Sequence, residues 1–229
     1  MSKYWFSSAK ARIWLSLLLV ALGGCAVWIA ELNHAPWLDK YSANVVNCSA
    51  ESYVELPSEY YYFSGYEALS GYYMQVIKTE LIPTTALLSE YDMTLSDLEE
   101  MSTFGRDADL SRFEYIYIVT AKFGNRDYEN NAEYHIEFDD FLLVGPDYCI
   151  SASTDGINAI PAFNEELNGA TGFGISSDRE ITFRIAYLID TRSESALSID
   201  YLLSSSPKLL VGYYPDEVYI DLPVPELLS

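Results

Sequence analysis

The chain is poor in histidine, cysteine and positive charge. It has two histidines, His34 and His135, in 229 residues. His34 stands in a polar stretch away from any partner, and no G-x-S-x-G turn is present, so a Ser-His-acid hydrolase has little to build on. Phosphate loops, G-x-G-x-x-G and H-E-x-x-H are also missing, which leaves nucleotide, dinucleotide and zinc-protease chemistry without a signature. The three cysteines, Cys25, Cys48 and Cys149, show neither C-x-x-C nor Cys/His metal spacing. Thirteen Lys and Arg face 34 Asp and Glu, a net charge of −21. Nucleic acid demands a basic surface, so it is excluded as a partner. Docking on anionic headgroups is disfavoured for the same reason.

Long apolar runs are missing too, with one exception: Ile13 to Ala30, IWLSLLLVALGGCAVWIA, which holds no charge. At about 1.5 Å per residue it spans roughly 27 Å, close to the ~30 Å hydrocarbon core of a bilayer. Lys3, Lys10 and Arg12 precede it and no acid does, which sets the N-terminus inside and the remainder outside. Trp14 and Trp28 fall near its ends, where amphipathic rings favour the interface. The expected organisation is a cytoplasmic n-region (1–12), a transmembrane signal anchor (13–30), a juxtamembrane spacer (31–42) and an extracellular domain (43–229). A rival reading lies inside the same run. Leu22-Gly23-Gly24-Cys25 resembles a lipobox, which would make the segment a lipoprotein signal ending at Cys25, the lipidated residue. Either way the protein is expected at the cell membrane with its C-terminal domain outside. Residues 31–229 then carry −24, with 10 basic against 34 acidic residues.

Half of all residues are hydrophobic and 15% are aromatic, with 20 tyrosines. This composition favours strands and a packed core. Phe113 to Phe123 is the clearest strand. Phe113, Tyr115, Tyr117, Val119, Ala121 and Phe123 alternate with Glu114, Ile116, Ile118, Thr120 and Lys122, as in a central strand covered on both faces. Tyr72 to Ile82, Glu133 to Asp139, Phe141 to Val144, Ile181 to Ile189, Leu209 to Val211 and Val218 to Leu222 read as further strands. Shorter runs stand at 44–46 and 53–56. Tyr60 to Phe63 with Ser64-Gly65-Tyr66 reads as a tyrosine-rich hairpin, or as a stacking platform for sugars. Ser96 and Glu99 have capping-box spacing within Thr84 to Met101, where one short crossover helix is expected. Ile150 to Ala162 reads as a polar loop, and Phe163 to Gly169 as one helical turn ended by Gly169.

Four runs, RFEYIYIVTAKFGN, FDDFLL, FNEELNG and REITFRIAYLI, together resemble bacterial, Gram-positive families of membrane-anchored or lipidated proteins of unknown function. The resemblance covers about Tyr72 to Ile189 and implies an exported immunoglobulin-like domain, without implying an activity. The expected fold is therefore mainly β: an antiparallel immunoglobulin-like β-sandwich with one short crossover helix, preceded by a single N-terminal membrane helix.

Candidate sites are few. Glu133, His135, Glu137 and Asp139 share one strand face at two-residue spacing, a set that could hold Ca2+; a solvated polar face is the simpler explanation. Cys48 and Cys149 could form a disulfide, and two free thiols are equally consistent. No other cofactor is expected, and no enzymatic activity. The expected function is a membrane-anchored extracellular binding module that contacts a surface protein or the cell wall. The alternative is an accessory or signalling subunit that acts on a neighbouring membrane protein through its helix and ectodomain.

Overall fold

The computed structural model describes residues 44–56, 60–62, 65–67, 71–101, 110–126, 136–152, 156–170, 172–193, 196–212 and 216–228. The chain divides into Met1–Ser42 and Ala43–Ser229, and every described residue belongs to the second unit. The apolar run 13–30 with its Cys25 and the spacer 31–42 lie outside the described residues. Among those residues no helix is long and apolar enough to cross a membrane.

In chain order the strands are β1 (Asn44–Cys48), β2 (Val54–Glu55), β3 (Tyr60–Tyr62), β4 (Gly65–Glu67), β5 (Tyr72–Pro83), β6 (Phe113–Asn125), β7 (Ile136–Glu137), β8 (Leu142–Val144), β9 (Cys149–Ser151), β10 (Gly172–Phe173), β11 (Arg179–Asp190), β12 (Lys208–Gly212), β13 (Asp216–Asp221) and β14 (Glu226–Leu227). Helices α1 (Thr84–Glu90) and α2 (Leu95–Met101) lie between β5 and β6, and α3 (Ile199–Ser204) precedes β12. The first sheet has the order β1-β13-β12-β8-β9. The second has β11-β6-β5-β14, with β2 also on β5. β7 pairs β10, and β3 pairs β4 as an antiparallel hairpin.

The second sheet is built on β6. Its two apolar faces, legible in the alternation, are both covered. Tyr117, Val119, Ala121 and Phe123 join a cluster that also takes Leu143, Leu209, Val211, Val218 and Ile220 from the first sheet, so the two sheets share one core. Ile116 and Ile118 face the other way, under Leu87, Leu88 and Leu98 of the two helices and under Ile157, Ile160 and Phe163. Phe123 is the hub of an aromatic cluster, with ring centroids 5.5 Å from Tyr72, 5.7 Å from Phe173 and 5.9 Å from Phe183. Each such pair adds about 0.5–1.5 kcal/mol beyond area burial.

Several expectations change. The sheets are mixed: β1 runs parallel to β13 and β14 parallel to β5. The crossover carries two helices, and α3 is a third. The capping box lies two residues earlier than expected. Thr94 N–H donates to Asp97 Oδ2 at 2.7 Å, and Asp97 N–H donates to Thr94 Oγ1 at 3.3 Å. Phe113 leaves the face of Tyr117 for that of Ile116, because Ile189 pairs with Tyr115 and Asp190 with Phe113, which leaves Glu114 as a bulged extra residue on β6. The strand expected over Glu133 to Asp139 ends at Glu137, and a 3-10 turn over Phe138–Asp140 follows.

The largest difference lies in residues 150–162, expected as a polar loop, which hold β9 and a 3-10 turn (Gly156–Ala159). The turn expected over Phe163 to Gly169 is present, with Asn168 N–H donating to Asn164 O at 2.9 Å. The segment 156–169 buries Ile157, Ile160 and Phe163. It also closes the outer edge of β11 with side chains. Asn158 Nδ2 donates to Ala186 O at 3.0 Å while Ala186 N–H donates to Asn158 Oδ1 at 2.8 Å. Asn164 repeats this with Arg184, at 2.9 and 2.7 Å. Thr182 N–H donates to Glu166 Oε1 at 3.2 Å. A primary amide carries one donor side and one acceptor side, so each asparagine replaces a residue of a neighbouring strand. Gly169 holds the stretch together: its φ is +78°, and a Cβ there would sit 2.7 Å from Ala159 O.

Asn158 is 1% exposed, so Asn158→Ala strands one donor and one acceptor of Ala186. The expected loss is about 2–4 kcal/mol of folding stability in urea titration. Glu166→Ala, on the exposed end of the same series, should lose about 1 kcal/mol or less. Equal losses would contradict the assignment.

Candidate binding groove

The side-chain series on β11 stops at Ala186. By alternation the next outward-facing peptide groups are those of Leu188, and no contact among the described residues takes them up. After the register shift, Asp190 O accepts from Leu197 N–H at 2.8 Å. Here β11, the edge of the second sheet, comes close to β9, the edge of the first. An open groove of about 820 Å3 lies between them, lined among others by Arg112, Cys149, Ser151, Leu188, Ser198 and Tyr201.

Polar groups in its wall are held in fixed positions. Asp190 Oδ1 accepts the N–H groups of Arg192 (3.1 Å) and Ser193 (2.9 Å), and Oδ2 lies 3.4 Å from Arg112 Nε. Burial works to raise the Asp190 pKa, and these amides together with Arg112 outweigh it, holding the carboxyl below its ordinary value. The Arg112 guanidinium also lies over the Phe113 ring at 4.6 Å. Tyr201 donates its hydroxyl to Asp147 Oδ1 at 2.7 Å, and that bond raises its pKa. The Tyr148 hydroxyl and Ser205 Oγ are 2.8 Å apart. Burial raises the Tyr148 pKa, with the Ser205 contact opposing. At neutral pH the groove therefore presents an ionised Asp190 and protonated phenols. The two tyrosine rings meet edge to face at 6.3 Å. A smaller cavity of about 400 Å3 has Arg192 and Glu114 in its wall, already paired with each other.

Of the candidate ligands, the described Glu137 and Asp139 do not line this groove, whereas Cys149, the candidate disulfide partner, does. Glu137 is exposed on β7, and Asp139 is half-buried on the following 3-10 turn, so the two-residue strand spacing does not extend across them. Glu133 and His135 lie outside the described residues. Among the described residues no three His, Cys, Asp or Glu side chains are grouped to hold a metal ion. Cys48 and Cys149 are free thiols. They sit on β1 and β9, the opposite edges of one five-stranded sheet. Four strand steps of about 4.8 Å separate them, against the ~4.4–6.8 Å between Cα atoms that a disulfide requires.

The four runs behind the family resemblance have structural roles. Asn125, at the end of RFEYIYIVTAKFGN, is buried and donates through Nδ2 to Ile175 O at 3.0 Å. At Gly124 a Cβ would clash with the hydroxyl end of the Tyr73 ring, which packs across it. FDDFLL folds as the 3-10 turn that buries Phe138 and Phe141, with Glu137 N–H donating to Asp140 Oδ2 at 2.9 Å. FNEELNG supplies Asn164, Glu166 and Gly169, and REITFRIAYLI is β11 itself. The groove residues Arg112, Asp147, Tyr148, Asp190 and Tyr201 escaped the sequence reading. The one local signal was the Asp190-Thr191-Arg192-Ser193 run, an Asx-type turn in which a side chain caps the following amides.

The described fold is thus a β-rich domain with an open groove at one seam. The chain belongs to the family described as Domain of unknown function (DUF5028), whose model matches residues 41–217. No curated protein and no solved structure matches the chain.

Burial raises the pKa of both thiols; at Cys48 the Asp221 carboxylate adds to it. Slow attack by thiol reagents at neutral pH is expected. With Cys25 replaced by serine, oxidation followed by denaturation and Ellman titration should return two thiols per chain. In the native state the exposed Cys149 should react before Cys48. A loss of both thiols from monomeric protein would contradict this geometry.

Proposed function

We propose that this protein is a single-pass, membrane-anchored extracellular binding module. In this reading residues 13–30 fix it in the membrane, an immunoglobulin-like sandwich stands outside, and the groove between β9 and β11 is its contact surface. The observation that carries the reading is the open groove itself, bounded by two sheet edges and furnished with positioned Arg112, Asp190, Asp147 and Tyr201. Binding sites are concavities with a few fixed polar groups. Three features favour binding over catalysis. Cys149 is the strongest nucleophile in the wall, and its thiol pKa is shifted up, away from the activated thiolate. Asp190 is engaged by two amides and Arg112, and Asp147 by Tyr201. The anchor is supported by the uncharged run 13–30 with its basic flank and by the resemblance to exported families.

The reading is tested with a photo-crosslinking phenylalanine analogue placed at position 201 in the full-length protein, in cells of its native host. A discrete covalent adduct is expected from position 201. None is expected from position 45, where Val45 is 61% exposed on β1 at the far edge of the first sheet. Silence at 201, or equal adducts from both positions, would overturn it.

A further inference from the structure

We propose that the groove takes an extended, basic polypeptide segment, which adds a strand to the outer edge of β9; this rests on the groove being the contact surface. Gly145 N–H donates to Tyr148 O at 3.0 Å, and Leu143 stands opposite Ile150. In an antiparallel ladder these positions exchange hydrogen bonds, and the residues between them turn their peptide groups the other way. Cys149 and Ser151 therefore point their N–H and C=O groups away from β8. The first sheet ends at β9, so no described strand receives them. Two donors and two acceptors repeating every second residue match the edge of an extended polypeptide, and strand addition satisfies all four at once.

The opposite wall explains why β9 is the receiving edge. On β11 the groups of Arg184 and Ala186 are taken by Asn164 and Asn158, that of Thr182 by Glu166, and Asp190 O by Leu197. Leu188 alone is left facing the groove, too little for a ladder. Strand addition at β9 thus lies beside the one stretch of β11 that Asn158, Asn164 and Glu166 leave open.

Charge decides what kind of segment fits. The groove wall carries Asp147 and Asp190 against Arg112, which already pairs with Asp190. Residues 31–229 carry −24. A field of that sign steers basic segments in and repels acidic ones. It also opposes edge-to-edge pairing of two copies, each bringing the same charge.

The test uses the full-length chain in nanodiscs of neutral lipid and a fluorescein-labelled octapeptide of alternating lysine and valine, read by anisotropy. Saturable binding is expected. The counterpart with glutamate for lysine should bind at least tenfold more weakly, and so should the peptide N-methylated on every backbone amide, which offers no backbone N–H. Ser151→Pro, which removes one outward N–H, should weaken binding by a similar factor at an unchanged melting temperature. Equal binding of the N-methylated or the glutamate peptide, or no binding of the lysine peptide, overturns the proposal. If the adduct at position 201 persists in that case, the groove is still the contact surface and strand addition alone has failed. Dimerisation that Ser151→Pro abolishes would assign the edge to a second copy and likewise overturn it.

Discussion

The outer edge of β11 is closed by side chains from residues 158–166 where another strand would ordinarily lie, and much of the domain's arrangement follows from that substitution. An exposed edge of this length would present unpaired peptide groups and invite association with other chains. Two buried asparagines and one glutamate satisfy it instead. The segment that carries them also supplies Ile157, Ile160 and Phe163, which cover the outer face of the second sheet beside α1 and α2. One stretch of chain therefore does two jobs: it ends the sheet and roofs its back.

The substitution has a limited reach. It stops at Ala186; beyond Ile189 the register with β6 shifts across the extra residue Glu114, and the Asx-type turn after Asp190 carries the chain away. What remains is the seam beside β9. The groove is thus a consequence of how the sheet edge is terminated. Part of its polar furniture follows from the same turn, since the amides after β11 fix Asp190, which in turn lies against Arg112.

Sequence reasoning reached the elements whose signal is periodic. β5, β6 and β11 are long, alternate cleanly and carry the shared core, and Ile116 and Ile118 on the polar-looking face of β6 correctly marked a second covered side. It missed what depends on single contacts between distant segments. Asn158 and Asn164 lie 28 and 20 residues from the peptide groups they satisfy, and an isolated asparagine in a polar run looks like any turn residue. The parallel β1–β13 pair joins residues 172 apart, which no local pattern announces. β9 is three residues long, below the length at which alternation can be seen. The runs behind the family resemblance were recognised as patterns; their physical content, an edge closed by amides and a buried Asn125, needed the structure. The groove residues sit on turns, on α3 and at a strand end, where no periodic pattern marks them.

Amide hydrogen exchange resolved to single residues tests the central claim most directly. The account predicts that the N–H groups of Arg184 and Ala186, on an edge without a neighbouring strand, exchange as slowly as those of β6, and that the N–H groups of Cys149 and Ser151 exchange orders of magnitude faster. Fast exchange at Arg184 and Ala186, or protection at Cys149 and Ser151 in the isolated protein, would contradict it.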